Sequence, residues 1–566
     1  SCDSYLSKVP SPSTSAPINN VEQLVAIYDN ATAFINETNP FACYSNDDAD
    51  LTAELYKADP SAFAISSTVF YNILHTAGIA SQASDGLWNG EYSNIFKANT
   101  IINNVDKVTG DESEKIKLKC NAHFLRAYSY FVLAQYYCLP YCEANKNALG
   151  LPKRLNTDFE ESIARVSLDE IYQLILDDLE IAAVTPDKSV NPNFPWRICQ
   201  ATVNALLSRV YLTMGNYKEA QATAEKALEG APELLDFNEL GYAPVESYPE
   251  MEGLPAQDVY NCETHKWTTI KYLYWKEFLF PRFTYARSQW IIPSDDLVSL
   301  YDQQNDRRFK LFFVEHGNRR MGVPYEAYRY NQFYDGRYII SGLTTAEMLL
   351  NKAEAQIRQG MWQEGLKTLD VLREKRYEAG TYISLSAGNQ SEALSIVLAE
   401  RRREMPFSMR IPDIKRYGVN EILEDDVTVV KNFFEISMSE VFIDKPKTYT
   451  IPSNSLLWAM PINDVEIGSS NGAIQQNRYE SAKFYLKELQ NELLNNPKAG
   501  IELGNYCYKI RLANSSVPTG KSGGFRVVYY KKIEDTLYLM EIYSKSDMEN
   551  ITDEKILEIL KNNGLN

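Results

Sequence analysis

Two segments far apart in the chain share one plan, a helix followed by a glycine turn and a second helix, and this repeat constrains the fold most. The first segment, residues 201–230, turns at Gly215, and the second, residues 344–376, turns at Gly360. In both segments small alanines allow the paired helices to pack closely, and the aromatic residue after the turn fills the gap between them.

Repeats of this tetratricopeptide-like kind cannot bury their apolar faces alone, so they must stack on further helices. Because the two units lie far apart, the array is predicted to be interrupted, or completed by divergent helices. Apolar residues at helical spacing predict such helices over 91–107 and 114–137, and a capping box of Ser167 and Glu170 predicts one over 167–184. The fold class is therefore mostly α, with tetratricopeptide-like helical repeats.

A stretch with few helix patterns, residues 231–340, separates the two repeats. Insertions on a helical-repeat scaffold usually build the binding face, so this loop-rich subdomain is the expected binding region. The candidate ligand-binding residues are Trp267, Trp275, Trp290, Asn331, Tyr334 and Arg337. For each tryptophan a place in the core stays open, and Trp88 is assigned to the core.

Charge and composition exclude several kinds of chemistry. The formal net charge of −18 argues against nucleic acid or an anionic membrane surface as a general partner. With only 4 histidines, a histidine-based metal or acid–base site is not expected, and no cofactor is predicted. None of the 8 cysteines has zinc-finger spacing, and Cys138 and Cys142 are either free buried thiols or a disulfide.

The chain begins Ser-Cys-Asp, which resembles the end of a bacterial lipobox, where the cysteine becomes acylated. Residues 1–17 are rich in Ser and Pro and lack apolar periodicity, as is typical of an extended tether. Cys2 is therefore the predicted lipidation site, with an ordinary cysteine as the alternative. No apolar run of about 18 residues occurs, so no membrane-spanning helix is predicted.

Six motifs in order make the chain, over residues 1–479, resemble the SusD/RagB family of outer-membrane nutrient-binding lipoproteins. They are the helical segments 120–141, 165–182 and 202–220, the segment 294–309 with its Asp-Arg pair, the arginine-rich segment 400–418 and the terminal segment 459–479. Ser408 and Arg478 depart from the family pattern, and both departures concern local packing. The resemblance implies one SusD-like helical-repeat domain over residues 18–479.

The resemblance also implies a function and partners. Family members are lipoproteins at the outer face of the outer membrane, where they cover a SusC-like, TonB-dependent barrel transporter as a lid. Many bind oligosaccharide, because the C–H face of a sugar ring packs on Trp or Tyr while Asn, Asp and Arg take its hydroxyls. The chain is thus expected to be a surface-exposed lipoprotein that delivers glycan to the transporter, and not an enzyme. The alternative is a pure protein-binding scaffold.

Three consecutive arginines, residues 401–403, suggest nucleic-acid binding at first sight. Ionic residues of both signs stand close to them in sequence, namely Glu400, Glu404, Asp413, Lys415 and Arg416. The interpretation adopted is a buried or half-buried ion network.

The last stretch, residues 481–566, changes character, since its net charge is +1 against −19 for the residues before it. Alternating patterns predict strands over 505–515, 520–532 and 535–545, and a closing helix over 551–563 capped by Thr552. This makes a small α+β domain with an antiparallel sheet.

Residues 484–566 resemble the RelE/HigB-like family of mRNA-cleaving toxins in the runs KIRL, GKSGGFRV and IYSK and in the last helix. Such toxins align the RNA 2′-hydroxyl for attack and stabilise the phosphorane with fixed cations. By this resemblance, the candidate catalytic residues of the segment are Lys509, Arg511, Lys521, Arg526, Tyr543 and Lys545. Because the family's opening strand and part of its helical hairpin are missing, the segment is expected to be truncated and inactive. An active endoribonuclease is the alternative.

Overall fold

The structure is a computed structural model of the chain, and it divides into two compact units, Ser1–Asn463 and Asp464–Asn566. It describes residues 17–65, 68, 86–158, 161–248, 257–262, 275–286, 290–315, 317–318, 323–324, 327–332, 337–437, 439–453, 455–477, 493, 501–504, 507–512, 525–531, 537–544 and 552–562. Cys2 and the rest of the tether up to residue 16 lie outside these residues. No described helix is both long and apolar enough to cross a bilayer.

The first unit is built mainly from helices. They are α1 (Val21–Asp29), α2 (Pro40–Tyr44), α3 (Ala53–Ala58), α4 (Gly86–Asn104), α5 (Glu112–Tyr137), α6 (Leu168–Ala182), α7 (Gln200–Thr213), α8 (Tyr217–Gly230), α9 (Asp295–Ser299), α10 (Arg307–Phe312), α11 (Thr345–Arg358), α12 (Trp362–Glu374), α13 (Gln390–Glu404) and α14 (Arg410–Tyr417). The three divergent helices predicted from sequence are confirmed as α4, α5 and α6. The Ser167–Glu170 capping box is also confirmed, because each side chain accepts a hydrogen bond from the other residue's backbone N–H.

Both predicted repeats are helix pairs, α7 with α8 and α11 with α12. Gly215 and Gly360 end the first helix of each pair with φ of +73° and +87°, a left-handed conformation that favours glycine. The aromatic residue after each turn packs where the repeat pattern predicts. Tyr217 lies against buried Leu212, and Trp362 lies against the apolar cluster of α11, α12 and α13.

The two repeats, far apart in sequence, stack directly on one another. Helix α8 packs on α11, and Ala220 of the first pair joins Ala355 of the second in one buried cluster. Arg209 of α7 donates from Nε and Nη2 to both carboxylate oxygens of Glu347 on α11, at 2.7 and 2.6 Å, and both side chains are buried. The two repeats are therefore separated along the sequence, as predicted, but they form one continuous stack of helices.

Short strands of the first unit occupy the insertion and the connections around the helices. They are β1 (Asn36–Thr38), β2 (Leu149–Pro152), β3 (Arg165–Ser167), β4 (Tyr242–Tyr248), β5 (Gln257–Cys262), β6 (Phe278–Phe280), β7 (Phe283–Tyr285), β8 (Phe313–Val314), β9 (Gly317–Asn318), β10 (Val323–Pro324), β11 (Arg329–Tyr330), β12 (Tyr338–Ile340), β13 (Leu343–Thr344), β14 (Val429–Ile436) and β15 (Val441–Ile451). In one three-stranded sheet, β7 runs between β1 and β12. This sheet joins the N-terminal segment to the middle and the C-terminal end of the insertion.

The second unit contains a four-stranded antiparallel sheet in the order β16–β17–β18–β19. Its elements are α15 (Asp464–Ser469), β16 (Ile501–Gly504), β17 (Cys507–Leu512), β18 (Phe525–Lys531), β19 (Leu537–Ser544) and α16 (Asp553–Asn562). The three predicted strands and the closing helix are confirmed, and β16 is an additional strand. Thr552 Oγ1 accepts a hydrogen bond from Lys555 N at 3.3 Å, as expected of the predicted cap.

Candidate ligand-binding site

Two of the three candidate tryptophans lie in the core. Trp290 is 2% exposed, and its ring packs 4.4 Å from the Tyr44 ring and 5.8 Å from the Phe63 ring, measured between centroids. Trp275 is 6% exposed and meets the Phe237 ring edge-on. The interior space beside Trp275 is about 30 Å³, which suits a water molecule and not a sugar. Neither ring presents an open face for ligand stacking.

The other candidates divide in two groups. Trp267 and Tyr334 lie outside the described residues, so their roles stay predictions. Asn331 is 1% exposed, and its backbone N–H donates to the Phe312 carbonyl at 2.8 Å, which places it in the core beside α10. Arg337 is half-buried and is the one described candidate that lies in an aromatic cluster near the surface.

That cluster consists of Tyr285 on β7, Tyr338 on β12 and Arg337, and we call it the tyrosine pair site. Tyr285 and Tyr338 are directly opposite one another in the antiparallel register, with ring centroids 5.1 Å apart and planes tilted by 35°. The Arg337 guanidinium carbon lies 5.8 Å from the Tyr285 ring centroid, and Nη1 donates to the Tyr285 hydroxyl at 3.4 Å. All three side chains are half-buried.

The alternation of the three strands explains why this face is accessible. Tyr285, Tyr338 and Thr38 occupy one row of the sheet and are all half-buried, whereas Thr284 and Ile339, one residue along, point to the opposite face and are buried. A short sheet with one covered face and one half-open face is a rigid support for a binding surface.

A buried ion cluster anchors the sheet from below. Arg282, which immediately precedes β7, is 0% exposed and donates from Nε to Glu37 of β1 at 2.9 Å and from Nη2 to Glu91 of α4. Its Nη1 also donates to the Phe34 carbonyl at 2.6 Å. Burial by itself would lower the pKa of Arg282, but the nearby carboxylates of Glu91 and Glu37 outweigh it, so the pKa is raised above its ordinary value. The base of the tyrosine pair site is therefore held by side chains from three distant segments.

Sequence reasoning missed both tyrosines of this site. Tyr285 and Tyr338 sit on strands of 3 residues each, too short for a period-two pattern to be recognised. The useful signal was their place within the stretch already expected to bind ligand.

The arginine-rich segment forms the ion network predicted for it. Arg401 Nε donates to Asp413 Oδ2 at 2.7 Å, and Arg403 Nη2 donates to Glu400 Oε2 at 2.6 Å. Arg402 reaches much farther along the chain, to Asp48. These guanidinium groups are turned into the protein by their carboxylate partners, so the structural interpretation is confirmed.

Lys415 behaves differently from its predicted part in that network. Its ammonium donates to two backbone carbonyls, those of Gln135 and Cys138 near the end of α5. Burial lowers the pKa of Lys415 to about 7. Its partners are thus the unpaired carbonyls at a helix C-terminus, where a cation is favoured.

The described residues provide free thiols and no metal cluster. Cys138 is buried and Cys142 half-buried, and both are free, which confirms the thiol interpretation over the disulfide. Burial raises the pKa of the Cys138 thiol. Within the part of the chain that the structure describes, no three His, Cys, Asp or Glu side chains are grouped to hold a metal ion.

In the second unit, three of the candidate catalytic residues implied by the toxin resemblance lie in one row of the sheet. Arg511 on β17 lies opposite Arg526 on β18, and Arg526 lies opposite Tyr543 on β19. Lys509 is two residues from Arg511 on the same strand, while Lys521 and Lys545 lie outside the described residues. The register thus brings together residues from three separate sequence motifs.

Comparisons with known proteins identify the fold class first. A putative sugar-binding protein from Bacteroides vulgatus ATCC 8482 is 18% identical with a TM-score of 0.57, covering 82% of this chain and 100% of its own. A SusD superfamily protein from Bacteroides thetaiotaomicron VPI-5482 is 19% identical with a TM-score of 0.57, covering 81% and 99%. A laminarin-binding SusD-like protein is 18% identical with a TM-score of 0.50, covering 73% and 96%. The fold is similar to that of these SusD-like structures, which confirms the predicted mostly α class.

Family profiles then match the sequence itself. A SusD-like family described as starch-binding and associating with the outer membrane matches residues 5–212, and the SusD family matches residues 343–480. Together these two segments make up more than half of the chain, and over them the sequence is similar to the SusD family. A search of curated proteins finds no match. Neither family match extends beyond residue 480, and the comparisons give the RelE/HigB resemblance no support.

Proposed function

We propose that the chain is a non-enzymatic oligosaccharide-binding protein and that the tyrosine pair site contacts the glycan. The observation that carries this proposal is the half-buried pair of Tyr285 and Tyr338 with Arg337 beside it. The rings offer apolar faces for the C–H face of a sugar, and the guanidinium offers donors for its hydroxyls. The residues described at this site offer apolar faces and hydrogen-bond donors, so binding without turnover is the chemistry that they support.

Two further facts support a glycan as the ligand. The family matching residues 5–212 is described as starch-binding, and one protein of the same fold is described as laminarin-binding. A shallow, half-exposed site retains water around the ligand, so the affinity of a single site is expected to be modest. Trp267 and Tyr334 stay in the proposal as predicted contacts from the neighbouring parts of the insertion.

Replacing both tyrosines by alanine is expected to weaken glycan binding about ten-fold or more, because truncating aromatic anchors removes most of the contact energy. We would measure binding by isothermal titration against laminarin-derived and starch-derived oligosaccharides. The matched control, Tyr285→Phe with Tyr338→Phe, keeps both rings and should stay close to wild type. Tyr211→Ala, at a half-buried tyrosine on α7, controls for loss of an aromatic elsewhere. Wild-type affinity in the double alanine variant would refute the assigned site.

We further propose that Cys2 carries the lipid anchor and that the protein passes glycan to a SusC-like TonB-dependent transporter in the outer membrane. The support is the sequence of residues 1–17 and the family description of outer-membrane association. Co-purification of the full chain with a barrel transporter tests the partnership. Co-purification together with failure to bind any glycan would favour the pure scaffold instead.

A second candidate function concerns the second unit, where Arg511, Arg526 and Tyr543 share a row of the sheet. A row of two cations and a phenol suits contact with a phosphodiester, as the RelE-like alternative requires. We nevertheless propose that this unit has no ribonuclease activity, because its sequence lacks the opening strand and part of the helical hairpin of the toxin family.

Expression of residues 464–566 in the bacterial cytosol is therefore expected to leave growth unchanged, with Arg526→Ala indistinguishable from the parent. Growth curves together with soluble protein on a gel provide the measurement. Growth arrest that Arg526→Ala relieves would instead establish the toxin activity.

A further inference from the structure

A polar cleft of about 280 Å³ lies in the first unit between α1, the first turns of α5 and residues 187–198. It shares no residue with the tyrosine pair site. Its charged lining consists of Asp29, Glu114, Lys117, Asp187, Lys188 and Arg197. The volume is near the lower limit for small-molecule sites, about 300 Å³, and suits one or two sugar residues.

Most charges of the cleft are paired with one another. Arg197 donates to Asp29 from Nη2 at 2.6 Å and from Nε at 3.0 Å, and Lys117 Nζ lies 3.1 Å from Asp187 Oδ1. Three acids face three bases, so the lining has no net charge to attract an ion. It does present alternating donors and acceptors, which match the hydroxyl groups of a neutral sugar because each hydroxyl both donates and accepts.

An aromatic corner stands beside these charges. The Phe194 and Trp196 rings meet nearly at right angles, 85°, with centroids 5.8 Å apart, and Phe194 is 40% exposed. Trp196 Nε1 donates to Asp29 at 3.1 Å, and the Arg197 guanidinium carbon lies 5.0 Å from the Phe194 ring centroid. Both rings are therefore fixed by residues that line the cleft. An exposed ring held next to paired polar groups is the arrangement that recognises the C–H face of a sugar.

We propose that this cleft is a second carbohydrate site, which takes one or two residues of a neutral oligosaccharide. Its paired charges favour a neutral ligand over an acidic or zwitterionic one, and its aromatic corner favours a sugar over other polyols. Because the two sites share no residue, this proposal does not depend on the tyrosine pair site.

Ser189 offers a way to fill the cleft without disturbing the core. It lines the cleft and is exposed, so Ser189→Trp places an indole in the ligand space. Ser395→Trp, at an exposed serine on α13, is the matched control. Phe194→Ala is a second variant, which removes the exposed ring and leaves the ion pairs in place.

The test uses the full chain carrying Tyr285→Ala and Tyr338→Ala, so that the first site is disabled. Saturation-transfer difference NMR with maltose, cellobiose and laminaribiose is expected to detect binding of at least one. Ser189→Trp should reduce that signal about five-fold or more, Phe194→Ala should reduce it in the same direction, and Ser395→Trp should not.

Three results would overturn the proposal. The first is no saturation transfer to any of the three disaccharides in the background lacking the tyrosine pair. The second is a signal that is the same in Ser189→Trp and Phe194→Ala as in Ser395→Trp. The third is stronger binding of glycine or glutamate than of every disaccharide, because it would assign the cleft to a zwitterion. The tyrosine pair site is judged separately, by the titrations of the otherwise unmodified chain.

Discussion

Replacing Glu400 by alanine is expected to lower the free energy of unfolding by about 3–5 kcal/mol, the typical cost of removing one partner from a buried ion network. Glu400 is 0% exposed and accepts hydrogen bonds from Arg308 at 2.7 Å, from Arg403 at 2.6 Å and from Arg373. Without the carboxylate, these guanidinium groups remain in the interior with less compensation for their lost hydration. Urea unfolding followed by circular dichroism measures the change.

The matched control is Glu364→Ala, at an exposed glutamate on α12, which is expected to change stability by no more than about 0.5 kcal/mol. Burial alone would raise the pKa of Glu400, but Arg308, Arg403 and Arg373 outweigh it and hold the pKa well below its usual range. The stability that Glu400 provides is thus present above the ordinary glutamate pKa and is lost as the pH falls toward the folded pKa. Equal stability of the two variants would show that the network contributes nothing.

Raising the pH from 7 to 10 is expected to stabilise the wild-type protein relative to Lys431→Met by about 1.4 kcal/mol per pH unit. Lys431 is buried, and its Nζ donates to the Tyr44 carbonyl at 2.7 Å and to the Ala49 carbonyl at 3.0 Å. Burial lowers the pKa of Lys431 to about 7, although Asp50 and other nearby carboxylates oppose the shift. Between pH 7 and the ordinary lysine value, unfolding must take up a proton, so each increase in pH disfavours it.

The comparison between wild type and variant is needed because buried cysteines and tyrosines titrate over the same pH range. They lower the free energy of unfolding as the pH rises, whereas Lys431 increases it. Burial raises the pKa of the Tyr128 phenol to about 12 and of the Cys120 thiol to about 11, so both favour unfolding at high pH. These effects are common to wild type and Lys431→Met and cancel in the difference. Lys367→Met, at an exposed lysine on α12, serves as the control and should run parallel to wild type. Parallel curves for Lys431→Met as well would mean that Lys431 is charged in the folded protein at pH 8.

Most of the helices could be predicted from local sequence patterns. The α5 helix, the capping box of Ser167 and the turns at Gly215 and Gly360 follow from interactions within a few residues, which a sequence displays directly. The arginine-rich segment was predictable for a related reason, since part of its countercharge, Glu400 and Asp413, stands nearby in the chain.

The candidate binding residues were harder to predict, because exposure is a property of the packed molecule. Trp275 and Trp290 come from the expected insertion, yet their rings are buried against aromatic residues supplied by other segments. Arg337 was predicted as a polar partner of the loop aromatics, and the aromatic rings beside it are not those of the tryptophans. They are Tyr285 on a neighbouring strand and the adjoining Tyr338.

The sequence by itself determined that two helix pairs exist, where each turns, and which family the chain resembles, because helix propensity, capping and glycine turns act over short distances. Only the tertiary structure decided that α8 packs on α11 across the insertion, with Arg209 and Glu347 paired between the repeats. It alone also decided that β7 runs between β1 and β12, so that two tyrosines meet on one half-open face. Such pairings depend on burying apolar area and matching charges between distant segments, and no local pattern specifies which segment the partner will come from.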